Sequence, residues 1–128
     1  MAVMRILVVD DEPVVAEVLA EGIRGAGYEA LVALDGTEAL NVLSATPVDG
    51  VFMDLVMPGL SGLAVLAQIR NRHPLLPVVV ISGHAVDETA AKAKELGAVA
   101  VLEKPTALAQ LTEILSRLRS AGPPCRLP

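Results

Sequence analysis

Five short aliphatic runs recur along the chain, and each gives way to a polar break and then to apolar positions at helical spacing. The first, Arg5 to Val9, is continuous rather than alternating, the pattern of a strand covered on both faces, and it stops at Asp10-Asp11-Glu12-Pro13. Pro13 suits the first turn of a helix, where its missing N–H leaves nothing unpaired, and Val15, Val18, Leu19 and Ile23 follow at helical spacing until Gly25 and Gly27. Tyr28 to Leu34 reads as a second strand. Asp35 and Glu38, at capping-box spacing, open a helix through Leu40 and Leu43 that ends at Thr46-Pro47. A third strand from Val51 ends at Asp54, and a helix carrying Leu63, Leu66 and Ile69 runs to the break at Asn71-Arg72-His73-Pro74. Pro77 to Ile81 is the fourth strand, followed by Ser82-Gly83-His84. The next helix, Val86 to Leu96, is rich in alanine and poor in large apolar anchors, so it should pack weakly and rank among the more mobile elements. Ala98 to Leu102 is the fifth strand, ending in Glu103-Lys104-Pro105, and Leu108, Leu111, Leu115 and Leu118 mark a last amphipathic helix.

Strands alternating with helices imply an α/β fold, a five-stranded parallel sheet doubly wound with helices on both faces, because parallel strands need crossover connections. In such sheets ligands sit beyond the carboxyl ends of the strands, where strand order reverses. Four of the five strands end in groups capable of chemistry: Asp10 and Asp11, Asp54, Ser82, and Lys104. The folded unit is expected over residues 1–119, and residues 120–128, with three prolines and no periodicity, read as a tail or linker remnant.

Composition narrows the function. A chain of 128 residues is 53% hydrophobic yet has one Tyr and one Phe, so its core is built from small aliphatic side chains. A net charge of −5 argues against nucleic-acid binding, which needs clustered Lys and Arg, and two aromatics offer almost nothing for base stacking. The single cysteine, Cys125, can form no internal disulfide, which fits a reducing cytoplasm. No apolar run reaches membrane-spanning length, and the apolar stretch after Arg5 is too short for a signal peptide; a cytoplasmic location without membrane association is expected.

Asp54 is the residue around which the chemistry gathers. An acid directly after Val51-Phe52-Met53 and ahead of Met57-Pro58-Gly59 stands where a strand leaves the core; taken alone it reads equally well as a turn cap. Three carboxylates around one crevice repel one another, and a hard divalent cation with oxygen ligands relieves that repulsion, which suggests Mg²⁺. Taken together, Val8-Val9-Asp10-Asp11-Glu12-Pro13, Asp54-Leu55-Val56-Met57-Pro58-Gly59 with Gly62, Ser82-Gly83-His84, and Lys104-Pro105 resemble the receiver domain of two-component response regulators, over about Met4 to Leu118. The resemblance implies the flavodoxin-like, CheY-like strand order 2-1-3-4-5 with five helices. It also implies Asp54 as phosphoacceptor, and Asp11, Asp54 and the Val56 main-chain carbonyl as Mg²⁺ ligands with Asp10 acting through water. Ser82 and Lys104 are implied as contacts to the phosphoryl oxygens.

Two positions depart from the family pattern. Val101 stands where an aromatic switch residue is usual, so coupling is expected through the Ser82-to-Ala85 loop and the helix after it. Val56 and His84 occupy the positions that tune attack by water; Val56 cannot orient a water, and a slowly hydrolysed phosphoaspartate is expected. The function implied is a phosphoacceptor that is not an enzyme toward external substrates. It would take its phosphoryl group from a sensor histidine kinase or a histidine phosphotransfer protein and display the result on the last two helices and fifth strand, a face that also admits a homodimer. The competing readings are a Mg²⁺-dependent aspartyl-phosphate hydrolase, disfavoured because Val56 stands where a general acid is needed, and a receiver-like docking module that does not switch. A dinucleotide site is excluded by acids where a glycine-rich turn would be required.

Overall fold

The computed structural model describes residues 4–55, 62–82, 87–103, 110 and 113–118, with backbone alone at 82, 87–90 and 103. Its elements alternate throughout: β1 (Arg5–Val9), α1 (Pro13–Gly25), β2 (Glu29–Ala33), α2 (Gly36–Ala45), β3 (Gly50–Asp54), α3 (Gly62–Arg72), β4 (Val78–Ser82), α4 (Asp87–Glu95) and β5 (Ala100–Glu103). Residues 113–118 belong to a fifth helix, α5. The five strands form one parallel sheet in the order β2-β1-β3-β4-β5, as the resemblance implied.

The two-residue period of a strand explains why the runs are continuously apolar. Ile6 and Val8 of β1, Phe52 of β3, and Val79 and Ile81 of β4 join Ala16, Leu19, Ala20 and Ile23 of α1 and Ile114, Leu115 and Leu118 of α5 in one core. Leu7 and Val9, Val51 and Met53, and Val78 and Val80 point the other way, into a second core with Leu43 of α2, Val65, Leu66 and Ile69 of α3, and Ala93 of α4. Among the described side chains of α4, Ala93 is the one that is buried. With no polar strand face, the sheet must be covered on both sides, and the helices divide into α1 and α5 on one face and α2, α3 and α4 on the other.

Local chemistry sets the ends of the elements. Pro13 occupies the first turn of α1, whose N-cap, Glu12, makes no side-chain capping bond. Asp35 caps α2: its Oδ1 accepts from the Glu38 N–H at 2.7 Å, while Glu38 Oε1 accepts from Leu34 N–H at 3.3 Å, one residue before the N-cap that a standard box would use. β4 runs to Ser82, which pairs with Glu103, as expected from the sequence. β5 starts at Ala100 rather than Ala98, because the Ala98 N–H is spent on Ala93 O in closing α4.

Candidate phosphoacceptor site

Parallel register builds the site. Val9 pairs with Met53, so Asp10 and Asp54 are the next residues along two neighbouring strands, at the point where the connections after β1 and β3 leave in opposite directions. Asp54 in turn pairs with Ile81, which places Ser82 one step beyond, and Ser82 pairs with Glu103, the residue before Lys104. The sheet alone therefore lines Asp10, Asp54 and the backbone of Ser82 along one carboxyl-terminal edge.

Asp10 and Asp54 are almost fully buried, at 1% and 3% exposure. Asp10 is held at both ends: its N–H donates to Ala33 O at 3.1 Å, prolonging the β1–β2 ladder, and its Oδ1 accepts from Glu12 N–H at 2.9 Å. That second bond folds the chain back two residues on, an Asx-type turn. It draws Asp11, half-buried, and Glu12, exposed, to the same place, so that carboxylate oxygens of Asp10, Asp11 and Glu12 all lie within 4.8 Å of one another. Asp54 stands outside that group, approaching from the neighbouring strand rather than from the loop. Glu12 is the member that sequence reasoning left without a role; the signal was three acids in a row with a turn-forming Asp at their head. Oxygen donors of this kind, converging at one strand end, are what a hard divalent cation takes.

Gly62, the first residue of α3, comes back against Leu55. The Gly62 N–H donates to Leu55 O at 3.0 Å, and a Cβ added at Gly62 would collide with the Leu55 main chain, lying 2.6 Å from its O and 2.8 Å from its carbonyl C. Only glycine allows that approach. Val101 is half-buried and packs against the core shared with α2, α3 and α4. Val56, His84, Lys104 and the side chain of Ser82 lie outside the described residues.

Two polar features, one buried and one half-buried, stand away from this edge, and neither was anticipated. Asp49, fully buried at the opposite end of β3, accepts from the Arg5 N–H at 2.8 Å while its own N–H donates to Arg5 O at 2.7 Å, tying the start of β1 to the start of β3. Arg70, near the end of α3, donates to four main-chain oxygens: Pro74 at 2.7 Å, Gly97 at 2.9 Å, His73 at 3.3 Å and Leu96 at 3.4 Å. Burial pushes the Arg70 guanidinium below its ordinary pKa.

Comparison with known proteins agrees with this geometry. The family model described as "Response regulator receiver domain" matches residues 6–116. A putative response regulator, NtrX-like, from Rickettsia conorii is 38% identical over 119 residues, covering 91% of this chain and 25% of that protein. The receiver domain of NtrX from Brucella abortus superposes with a TM-score of 0.83 at 38% identity, covering 91% of this chain and 99% of that one. Chemotaxis protein CheY4 of Vibrio cholerae gives 0.86 at 27% identity, over 91% and 99%. The chain spans about a quarter of the length of the curated relatives it matches.

Proposed function

The chain belongs to the response regulator receiver family of two-component signalling, and on that premise we propose that it accepts a phosphoryl group on Asp54 from a sensor histidine kinase or a histidine phosphotransfer protein. The observation that carries this reading is a nearly buried carboxylate at the carboxyl end of β3, one strand from an acidic group at the reversal of strand order. An Asp54 carboxylate oxygen attacks phosphorus, the new O–P bond forms as the P–N bond to the donor imidazole breaks, and the departing nitrogen keeps the bonding pair and is protonated. The product is an aspartyl phosphate.

The carboxylate oxygens that converge at this edge suit Mg²⁺; by the family pattern Asp11 and Asp54 would ligate it directly, with the Val56 carbonyl, and Asp10 through water. Bound there, the cation offsets the negative charge of the carboxylates and of the incoming phosphoryl oxygens. Asp10 orders the loop by accepting from Glu12 N–H, which keeps Asp11 and Glu12 facing the crevice. Ser82 donates its hydroxyl to one phosphoryl oxygen and Lys104 its ammonium to another, roles that follow from their matching positions in the family pattern. Val56 positions no water and His84 stands at the second tuning position, so the phosphoaspartate is long-lived; a half-life of seconds in the purified protein rejects that part.

The chain acts as a switch on a partner and not as an enzyme for external substrates. Its output passes through α4, β5 and α5, either to another protein, to a second copy across the same face, or to further domains such as those that the greater length of its relatives can hold. Among the described residues no helix is long and apolar enough to cross a membrane, and we place the domain in the cytoplasm with its kinase's catalytic end. The test is incubation with acetyl phosphate and Mg²⁺, read by intact mass: wild type gains one phosphoryl group and Asp54→Asn gains none. Equal labelling of the two proteins overturns the proposal.

A further inference from the structure

α4 is attached to the rest of the domain in an unusual way. Its sequence, Asp87–Glu95, contains no Leu, Ile, Val, Met or aromatic residue, and Ala93 is the buried one of its described side chains. Apolar burial therefore holds it weakly. Its carboxyl end, by contrast, meets Arg70. The guanidinium spans the exits of two helices, donating to His73 O and Pro74 O after α3 and to Leu96 O and Gly97 O after α4. Carbonyls at helix ends carry partial negative charge and lack helical partners, so one cation answers the needs of both.

The fit is specific. Gly97 has φ +97°, a conformation that side chains rarely adopt, and a Cβ there would stand 2.5 Å from Arg70 Nε. The helix exit is thus shaped around this one side chain. Beside the guanidinium, an open cleft lined by Ala67, Asn71, Glu95 and Leu96 runs between the second half of α3 and the exit of α4, whereas Ala93 packs in one core with Val65, Leu66 and Ile69 of α3.

We infer that Arg70 is the pivot of α4: it fixes the helix's carboxyl end to α3, so that modification of Asp54 swings the amino end while the carboxyl end stays, and it sets the resting place of the helix. This rests on the phosphoacceptor reading, since Ser82, one residue beyond the register partner of Asp54, leads into α4. Among the described residues, Arg70 is the side chain that ties the exit of α4 to the exit of α3, and this fastening lies at the end remote from Asp54.

The test uses amide NMR and hydrogen exchange on the whole chain, for wild type, Arg70→Gln, Arg70→Lys and Gly97→Ala. Without any phosphoryl analogue, Arg70→Gln is expected to speed exchange of the α4 amides by roughly tenfold or more, as loss of charge-assisted bonds should, with the strands unchanged. Arg70→Lys, which keeps the charge but loses the fork, should fall between wild type and Gln; Gly97→Ala adds backbone strain at φ +97° to displacement of the guanidinium and should speed the same amides at least as much as Arg70→Gln. If Arg70→Gln does not fold, Arg70→Lys decides. Adding beryllofluoride and Mg²⁺ to wild type should shift amides near Asp87 more than those near Glu95. Unchanged α4 exchange in the variants, or uniform shifts along α4, overturns the pivot while leaving phosphorylation standing. An absence of beryllofluoride shifts at Asp54 itself refutes the phosphoacceptor reading, and the swing with it, whereas the exchange result judges the fastening independently.

Discussion

Replacing Gly62 by Ala tests how closely the start of α3 approaches the main chain of Leu55. The added methyl would collide with Leu55 Cα and lie 2.6 Å from Leu55 O and 2.8 Å from its carbonyl C, where ordinary contact begins near 3.4 Å, so one backbone must retreat by about 1 Å. Both sides of the clash are main chain, and no side chain can rotate away. Leu55 is itself 7% exposed and lies in the core beside α2 and α3, so its retreat disturbs packing as well as the Gly62 N–H to Leu55 O bond. Overpacking of this sort costs roughly 1–3 kcal/mol, and alanine's better helix propensity at the first residue of α3 returns less than about 1 kcal/mol. A net loss of about 1–2 kcal/mol, for 128 residues at about 2.1 cal/mol/K each, lowers the melting temperature by about 4–7 °C. Thermal melts followed by circular dichroism read this, with Gly25→Ala as the control, since a Cβ at Gly25 meets nothing within 4 Å. Because Leu55 adjoins Asp54, Mg²⁺ affinity should fall in the Gly62 variant and hold in the control. Melting temperatures within a degree of wild type for Gly62→Ala would refute the close approach.

Other outcomes follow from single interactions. Asp49→Ala leaves the buried Arg5 N–H without its acceptor and should cost about 1–3 kcal/mol in urea unfolding, while phosphorylation by acetyl phosphate proceeds, because Asp49 lies at the far end of β3. Asp35→Ala removes the α2 N-cap and should cost about 1 kcal/mol, with Asp35→Asn retaining most of the stability. Asp10→Ala releases Glu12 N–H and disperses the acidic group, so Mg²⁺ titration should weaken by at least about tenfold, a larger loss than for Glu12→Gln.

The strands and the edge they share were legible in the sequence because a sheet buried on both faces demands unbroken aliphatic runs, and a polar residue ending such a run marks where the strand leaves the core. Asp10, Asp54 and Ser82 could be placed together for that reason. What escaped notice depends on contacts between segments distant in sequence. Asp49 before Gly50 has the look of a turn, and its burial follows from the main chain of Arg5, 44 residues away. Arg70, at the polar end of a helix, looks like a solvated cation until the exits of α3 and α4 are brought together. Gly62 is visible as spacing in a motif, but its need for a bare Cα arises from the path of Leu55. The start of β5 was misplaced because Ala98 and Val99 have strand composition, while Ala98 N–H is committed to the end of α4.

The site of modification is the central claim, and chemical trapping addresses it most directly. Borohydride reduces an acyl phosphate to the alcohol, which turns a phosphorylated aspartate into homoserine and leaves free carboxylates untouched. After treatment with acetyl phosphate and Mg²⁺, peptide mapping should find homoserine at position 54 and aspartate still at 10, 11 and 49. Homoserine at one of those three positions with position 54 unchanged, or no homoserine anywhere, would contradict the account.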